Sequence, residues 1–179
     1  NSGDTLPVTV LFLVPDIHER QTGGNVFNRR MIEGLRGEIA VRVVPWRPDE
    51  TPAADLDLTG ADVIVADSLL AQHPEALRAV QATRPKASLV LLVHYLHCID
   101  PRSPEADTAA TERATLGGVD AAIATSRFVR RAVVAEGLSP ERVWVVRPGL
   151  EDRFRAAPPL RLGQGAPRML TVANLLPEK

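Results

Sequence analysis

A histidine stands where a buried strand is expected to end. His94 comes directly after the apolar run 89–93 of this 179-residue sequence. An imidazole titrates near neutrality, so at such a position it can exchange hydrogen bonds with a substrate hydroxyl or face a phosphate. The alternative is a half-buried histidine bonded to neighbouring backbone. We take His94 as the predicted catalytic residue.

A glycine pair ends the first long loop. This loop carries Asp16 and finishes with Gly23 and Gly24, followed by Asn25. Two glycines at the start of a helix let a ligand approach the backbone and leave amide donors for phosphate or hydroxyl oxygens. The alternative is a tight turn in which Thr22 or Asn25 caps the helix. Apart from Thr22, these residues are predicted to bind a substrate.

A serine and an arginine open a later helical segment. Ser126 has the position of an N-cap, which would satisfy the first amides of the helix. Arg127, Arg130 and Arg131 follow within the first turns. They form either a solvated face or a contact for an anionic partner such as a phosphate or a lipid headgroup. Ser126 and Arg127 are kept as candidate binding residues.

Two nucleotide-binding fingerprints and a metal site find little support. The sequence contains neither G-x-G-x-x-G nor the P-loop pattern, which argues against NAD binding and NTP hydrolysis. His94, His97, Cys98 and Asp100 are of metal-ligating types. A strand end followed by a loop does not fix a coordination geometry, however, so no metal is predicted.

Composition narrows the class of protein. Lys and Arg number 21 against 22 Asp and Glu, a formal net charge of −1, which lacks the basic field that nucleic-acid binding needs. The 45% hydrophobic and 24% charged residues are typical of a globular domain. No apolar run reaches the ~20 residues of a membrane span. The single cysteine excludes an internal disulfide framework. We expect a cytoplasmic protein, with peripheral contact to a membrane left open.

The elements that must position these residues alternate along the chain. Apolar strand-length runs fall at 8–14, 39–44, 63–66, 89–93, 121–124 and 143–146. Helical patterns lie between them: 25–35, 74–82, a helix capped by Ser103 that runs to about Leu116, and a helix capped by Ser126 and ended by Gly137. This alternation predicts right-handed crossovers and an α/β fold with a doubly wound, mostly parallel, Rossmann-like sheet.

The composition changes after this region. We predict an N-terminal domain over 1–150, a Pro/Gly-rich linker over 151–167 and the start of a second domain over 168–179. A strand that begins after a linker near Met169 and is followed by so few residues would make the sequence a fragment of a longer protein.

The order of these motifs resembles a known enzyme family. A Gly-Gly loop, a strand-end His, the segment TSRF at 125–128 and the segment VVRPGLE at 145–151 occur in sequence, followed by MLTVANLLPEK at 169–179. This order is similar to the N-terminal half of a GT-B glycosyltransferase of the family-4 type. The resemblance covers nearly the whole chain and implies the Rossmann-like half of a GT-B fold.

The resemblance implies retaining transfer of a sugar from a nucleotide-sugar to a sugar, lipid or small-molecule acceptor, without a metal or a separate cofactor. The N-terminal domain would bind mainly the acceptor, with the glycine loop near the donor phosphates and His94 near the transferred sugar. Lys179 matches the lysine of a basic pair that grips the diphosphate, while Asn174 occupies the usual arginine position. Glu151 completes the candidate binding residues.

Two other functions stay open on sequence. The chain could be a non-catalytic Rossmann-like module that binds a sugar, phosphate or protein, or part of a nucleotide-sugar epimerase of the same architecture. Under the transferase hypothesis, the partner of this domain is the protein's own second domain. The 179 residues alone are then expected to be inactive.

Overall fold

The computed structural model describes residues 8–15 and 22–149. In this part of the chain the strands are β1 (Thr9–Val14), β2 (Ala40–Pro45), β3 (Val63–Asp67), β4 (Ser88–Val93), β5 (Ala121–Ala124) and β6 (Val143–Val145). The α-helices are α1 (Gly23–Leu35), α2 (Pro74–Thr83), α3 (Ala106–Gly118) and α4 (Arg127–Ala135). Short 3₁₀ segments lie at Ala53–Asp55, Ser68–Gln72, His97–Ile99 and Pro140–Arg142.

The strands form one parallel sheet. Their order is β2-β1-β3-β4-β5-β6, and each neighbouring pair runs in the same direction. The chain first moves from β1 outward to β2 and then returns to place β3 on the other side of β1. The strand order therefore reverses between β1 and β3, the position where doubly wound sheets bind ligands beyond their carboxyl ends. The predicted Rossmann-like α/β class is confirmed.

Both faces of the sheet are covered by packed side chains. Leu11 and Leu13 of β1 belong to one core, which helices α2, α3 and α4 complete with residues such as Leu77 and Val133. Phe12 points to the opposite core, where Ile32 of α1 packs. Successive strand residues face opposite sides, so a strand buried on both sides must be apolar throughout. This explains the uninterrupted apolar runs of the sequence.

The strand boundaries lie within one residue of those predicted, whereas α3 differs. The sequence predicts a helix capped by Ser103, but α3 begins at Ala106 and continues through Gly118. Ser103 Oγ instead accepts a hydrogen bond from the Glu105 amide at 3.3 Å and lies 2.8 Å from His97 Nδ1. The serine therefore holds the preceding turn, and the predicted cap is wrong because a tertiary partner takes its hydroxyl.

The chain divides into two units between Pro148 and Gly149. The predicted linker over 151–167 and the predicted second-domain start over 168–179 lie outside the described residues, so both stay predictions. Among the residues that the structure describes, no helix has the length and apolar character needed to cross a membrane.

Candidate functional site

Three polar side chains meet at the reversal of the strand order. Asp67 is the last residue of β3, His94 follows the last residue of β4, and Asn28 lies in the second turn of α1. Asn28 is 0% exposed and Asp67 is 2% exposed. They are two of only a few buried polar residues among those described. Buried polar groups are costly unless they are hydrogen-bonded, so a partner is required for each.

The three side chains form one hydrogen-bond network. Asn28 Nδ2 donates to Asp67 Oδ2 at 2.5 Å, and Asn28 Oδ1 lies 2.8 Å from His94 Nε2. The other carboxylate oxygen, Asp67 Oδ1, accepts from the Leu69 amide at 2.8 Å. The His94 amide donates to Ser68 Oγ at 3.2 Å. We refer to Asn28, Asp67 and His94 as the polar triad.

The triad fixes the protonation of His94. An ionised carboxylate only accepts hydrogen bonds, so the amide nitrogen of Asn28 must face Asp67 and its oxygen must face His94. Since that oxygen is an acceptor, His94 Nε2 carries a hydrogen and donates it. In the neutral ring Nδ1 is then the acceptor nitrogen. No hydrogen bond among the described residues uses Nδ1.

Burial keeps this imidazole neutral. Desolvation lowers the pKa of His94 below its ordinary value of 6.5, and the nearby Asp67 carboxylate, 3.6 Å from Nε2, opposes the shift without cancelling it. Near neutral pH, His94 is thus a hydrogen-bond acceptor at Nδ1 and a donor at Nε2. A neutral ring with one unused nitrogen is suited to accepting a proton or a hydroxyl hydrogen bond.

The glycine pair begins α1 against this histidine. A Cβ placed on Gly24 would lie 3.3 Å from His94 Cδ2 and 3.7 Å from Nε2, whereas one on Gly23 would have nothing within 4 Å. The ring edge with Cδ2 therefore faces Gly24, and Nδ1 is not among the three ring atoms nearest to that Cβ position. The ring of Phe27 also meets His94 edge-on, with centroids 5.4 Å apart. Gly24 thus gives the imidazole room to pack against the helix start.

The helix cap at α1 is Thr22. Its Oγ1 accepts from the Asn25 amide at 3.1 Å, which agrees with one of the two caps considered on sequence. Among the described residues, no hydrogen bond uses the amides of Gly23 and Gly24. The first amides of a helix have no intrahelical acceptor, so they stay suited to anionic or hydroxyl oxygens.

The remaining predicted residues have different positions. Ser126 caps α4, with Oγ accepting from the Val129 amide at 3.1 Å, and Arg127 is exposed on the first turn of α4. Arg130 donates to the carbonyls of Val143 and Pro140, so it ties α4 to β6. Asp16, Glu151, Asn174 and Lys179 lie outside the described residues.

A cleft of about 410 Å³ opens beside the polar triad. It is lined by His94, Tyr95, Ile99, Asp100, Pro101, Arg102, Phe128 and Val129. Its walls come from the segment after β4 and from the first turn of α4, as expected for loops at the carboxyl edge of a parallel sheet. A second hollow of about 210 Å³ lies beside Trp46, Leu69 and His73.

Two of the residues considered as metal ligands, His97 and Cys98, are engaged elsewhere. Within 8–15 and 22–149, no group of three or more His, Cys, Asp or Glu residues is placed to hold a metal ion. His97 Nδ1 pairs with Ser103, and burial, together with the Glu112 carboxylate, raises the pKa of the Cys98 thiol to about 12. Cys98 is therefore a buried neutral thiol.

Sequence reasoning missed two members of the triad. Asp67 follows the apolar residues 63–66, so the strand-end rule that selected His94 also applies to it. Asn28 lies among Phe27, Met31 and Ile32, on the apolar stripe of α1. A polar residue inside an apolar stripe signals a buried hydrogen bond, and that signal was present in the sequence.

No model of a known protein family matches this chain, and a comparison with curated proteins gives no match.

Proposed function

We propose that the chain is the acceptor-binding half of a retaining glycosyltransferase, which moves a sugar from a nucleotide-sugar to an acceptor. The observation that carries the proposal is the polar triad, which presents a neutral His94 at the strand-order reversal, between the start of α1 and an open cleft. The ordered motifs that resemble the family-4 type support the same proposal.

The chemistry of transfer fits this arrangement. The acceptor oxygen forms a bond to the anomeric carbon, the bond from that carbon to the leaving phosphate oxygen breaks, and the proton of the acceptor hydroxyl passes to the departing phosphate. Negative charge grows on the departing nucleoside diphosphate, which preorganised donors stabilise more in the transition state than before it. The amides of Gly23 and Gly24 are such donors. Under the proposal they face donor phosphates, while His94 Nδ1 accepts a hydroxyl hydrogen bond from the bound sugar.

The second domain completes the proposed site. The resemblance assigns Lys179, with Asn174 at the usual arginine position, to contact with the diphosphate. Asp16 and Glu151 are further candidate substrate-binding residues. Closure of two domains would exclude water, which otherwise competes with the acceptor hydroxyl. Under this proposal residues 1–179 alone do not transfer sugar.

The test is a panel of nucleotide-sugars incubated with the full-length protein and candidate acceptors, read by the mass of the products. His94→Ala is expected to lower turnover at least about tenfold, the kinetic equivalent of one lost hydrogen bond of about 1.4 kcal/mol. His73→Ala is the matched control, since His73 is a partly exposed histidine whose nearest carboxylate, Asp49, lies 3.7 Å away.

Three outcomes decide between the functions. Transfer to an acceptor that depends on His94 supports the proposal. Conversion of the nucleotide-sugar to its epimer without an acceptor would instead identify an epimerase. Binding of a sugar or nucleotide with no turnover across the panel would identify a non-catalytic module and overturn the proposal.

A further inference from the structure

We propose that the cleft beside His94 binds an uncharged sugar ring through stacking on Tyr95 and Phe128 and hydroxyl donation to Asp100 and His94. The inference rests on the proposed function in that it makes such a ring the acceptor. The binding itself requires no turnover, so it is tested separately.

Two aromatic rings stand at this cleft without being buried. Phe128 is 62% exposed and Tyr95 is 49% exposed. Both rings line the same cleft. Large apolar groups grouped at a concave surface indicate a binding site more than scattered exposed residues do. The C–H face of a pyranose is an apolar surface of the size of one aromatic ring, so stacking would remove both from water.

The ring of Tyr95 and the backbone that carries Phe128 are held in place before a ligand arrives. Tyr95 meets the His97 ring edge-on with centroids 5.2 Å apart, and its hydroxyl donates to Asp100 at 3.4 Å. Phe128 belongs to the first turn of α4, where the Ser126 cap fixes the backbone. Rigid anchors lose little conformational entropy on binding, which favours recognition of a small ligand.

The polar groups of the cleft wall include two acceptors, the Asp100 carboxylate and the His94 imidazole, beside the donor guanidinium of Arg102. Asp100 is an ionised carboxylate, because hydrogen bonds from Arg102 hold its pKa below the ordinary value. Its Oδ2 receives only the long bond from Tyr95 among the described residues. His94 also lines the cleft, and no hydrogen bond among the described residues uses its Nδ1. A sugar hydroxyl can donate to either acceptor and can also accept from Arg102, whereas an unprotonated phosphate or carboxylate oxygen can only accept.

Charge also favours a neutral ligand. The carboxylate of Asp100 and the guanidinium of Arg102 lie 3.4 Å apart, and His94 is uncharged near neutral pH. The formal charges of this lining cancel, so neither an anion nor a cation would gain a strong net attraction. The cleft of about 410 Å³ is near the lower end of the range of roughly 300–1,000 Å³ found for small-ligand sites, enough for one or two rings.

The experiment measures binding without a nucleotide-sugar. Saturation-transfer NMR on the full-length protein uses the methyl glycosides of glucose, mannose and galactose, each at about 10 mM, with AMP and inorganic phosphate as the other probes. We expect saturation of ring protons for at least one glycoside. Phe128→Ala is expected to lower the affinity for that glycoside at least threefold, because one stacking contact is lost.

Two further variants locate the site. Asp100→Asn, which keeps the size but makes half of the carboxylate a donor, is expected to weaken binding as well. Trp144→Ala is the matched control, because Trp144 is an aromatic residue of similar exposure, 56%, that does not line the cleft. The affinity of the Trp144→Ala variant for the glycoside should equal that of the unchanged protein.

The possible results separate this inference from the proposed function. Absence of glycoside binding, or binding that Phe128→Ala leaves unchanged, overturns the inference. Binding of AMP or phosphate that the same variant weakens also overturns it, since the ligand class would be wrong. Variant-sensitive glycoside binding without any sugar transfer supports the inference while removing the glycosyltransferase proposal.

Discussion

At the residue scale, Asn28 determines how Asp67 and His94 are hydrogen-bonded. Its amide nitrogen donates to Asp67 and its amide oxygen faces His94. A neutral side chain therefore bridges the carboxylate and the imidazole, which lie 3.6 Å apart. A carboxylate at the position of Asn28 would stabilise the imidazolium and raise the pKa of His94. With the neutral amide of Asn28 in that position, desolvation remains the larger effect on the pKa of His94, and the imidazole stays neutral.

The stability of the fold should depend on pH through His94. The pKa of His94 is lowered in the folded protein from its ordinary value of 6.5 because the ring is desolvated. As the pH falls below about 6.5, the unfolded chain takes up a proton that the folded chain takes up only at lower pH. The free energy of unfolding should therefore decrease over this window and be fully retained above it.

Urea denaturation between about pH 8 and pH 5 checks this, with the free energy of unfolding plotted against pH. His94→Gln should flatten the decline in the free energy of unfolding. Identical slopes in His94→Gln and the unchanged protein would show that another group is responsible.

At the scale of elements, the start of α1 is shaped to receive the His94 ring. Only the second helical position is crowded, because a Cβ on Gly24 would approach His94 Cδ2 to 3.3 Å while one on Gly23 would meet open space. The two glycines of the sequence pair therefore have different roles. Gly23 leaves the backbone accessible, and Gly24 provides space.

The two glycines should respond differently to alanine. Gly23→Ala is expected to keep the stability or raise it by about 0.5 kcal/mol, since alanine restricts the unfolded chain more than glycine does. Gly24→Ala should instead lower the stability by about 1 kcal/mol, because the His94 ring must shift to make room for the added Cβ. Thermal unfolding of both variants and the ring proton shifts of His94 check this. Equal effects, or an unmoved His94, would contradict it.

At the scale of the whole molecule, the sheet brings distant positions together. Asn28 and Asp67 are separated by 39 residues, and Asn28 and His94 by 66. They meet because β1, β3 and β4 are adjacent and parallel, so the segments after them leave the same edge. The integrity of the candidate site thus depends on the central strands, which are buried on both faces.

The central strands should accordingly dominate stability. Leu91 of β4 is 0% exposed, so Leu91→Ala is expected to cost about 2–5 kcal/mol through lost burial and a residual cavity. Leu69→Ala, at a leucine that is 59% exposed, is the matched control and should change stability by less than about 0.5 kcal/mol. Denaturant midpoints measure both. Similar losses in the two variants would argue against the sheet as the stabilising centre.

Much of the fold was predictable because its signals are local. A strand buried on both faces must be apolar along its whole length, and glycine, proline and capping residues mark where helices begin and end. The strands and the Rossmann-like class follow from these patterns. The start of α3 did not follow, because Ser103 bonds to the turn before it and to His97 rather than capping the helix.

The sequence by itself determined the sheet, its alternation with helices and the position of His94 at a strand end. Only the tertiary structure decided that Asn28 and Asp67 join this histidine, which of its nitrogens carries the hydrogen, and that Gly24 packs against its ring. The physical reason is that a hydrogen bond between side chains depends on distance and direction in space. Local periodicity specifies which face of an element is buried, but the pairing of buried polar groups is set by which strands become neighbours.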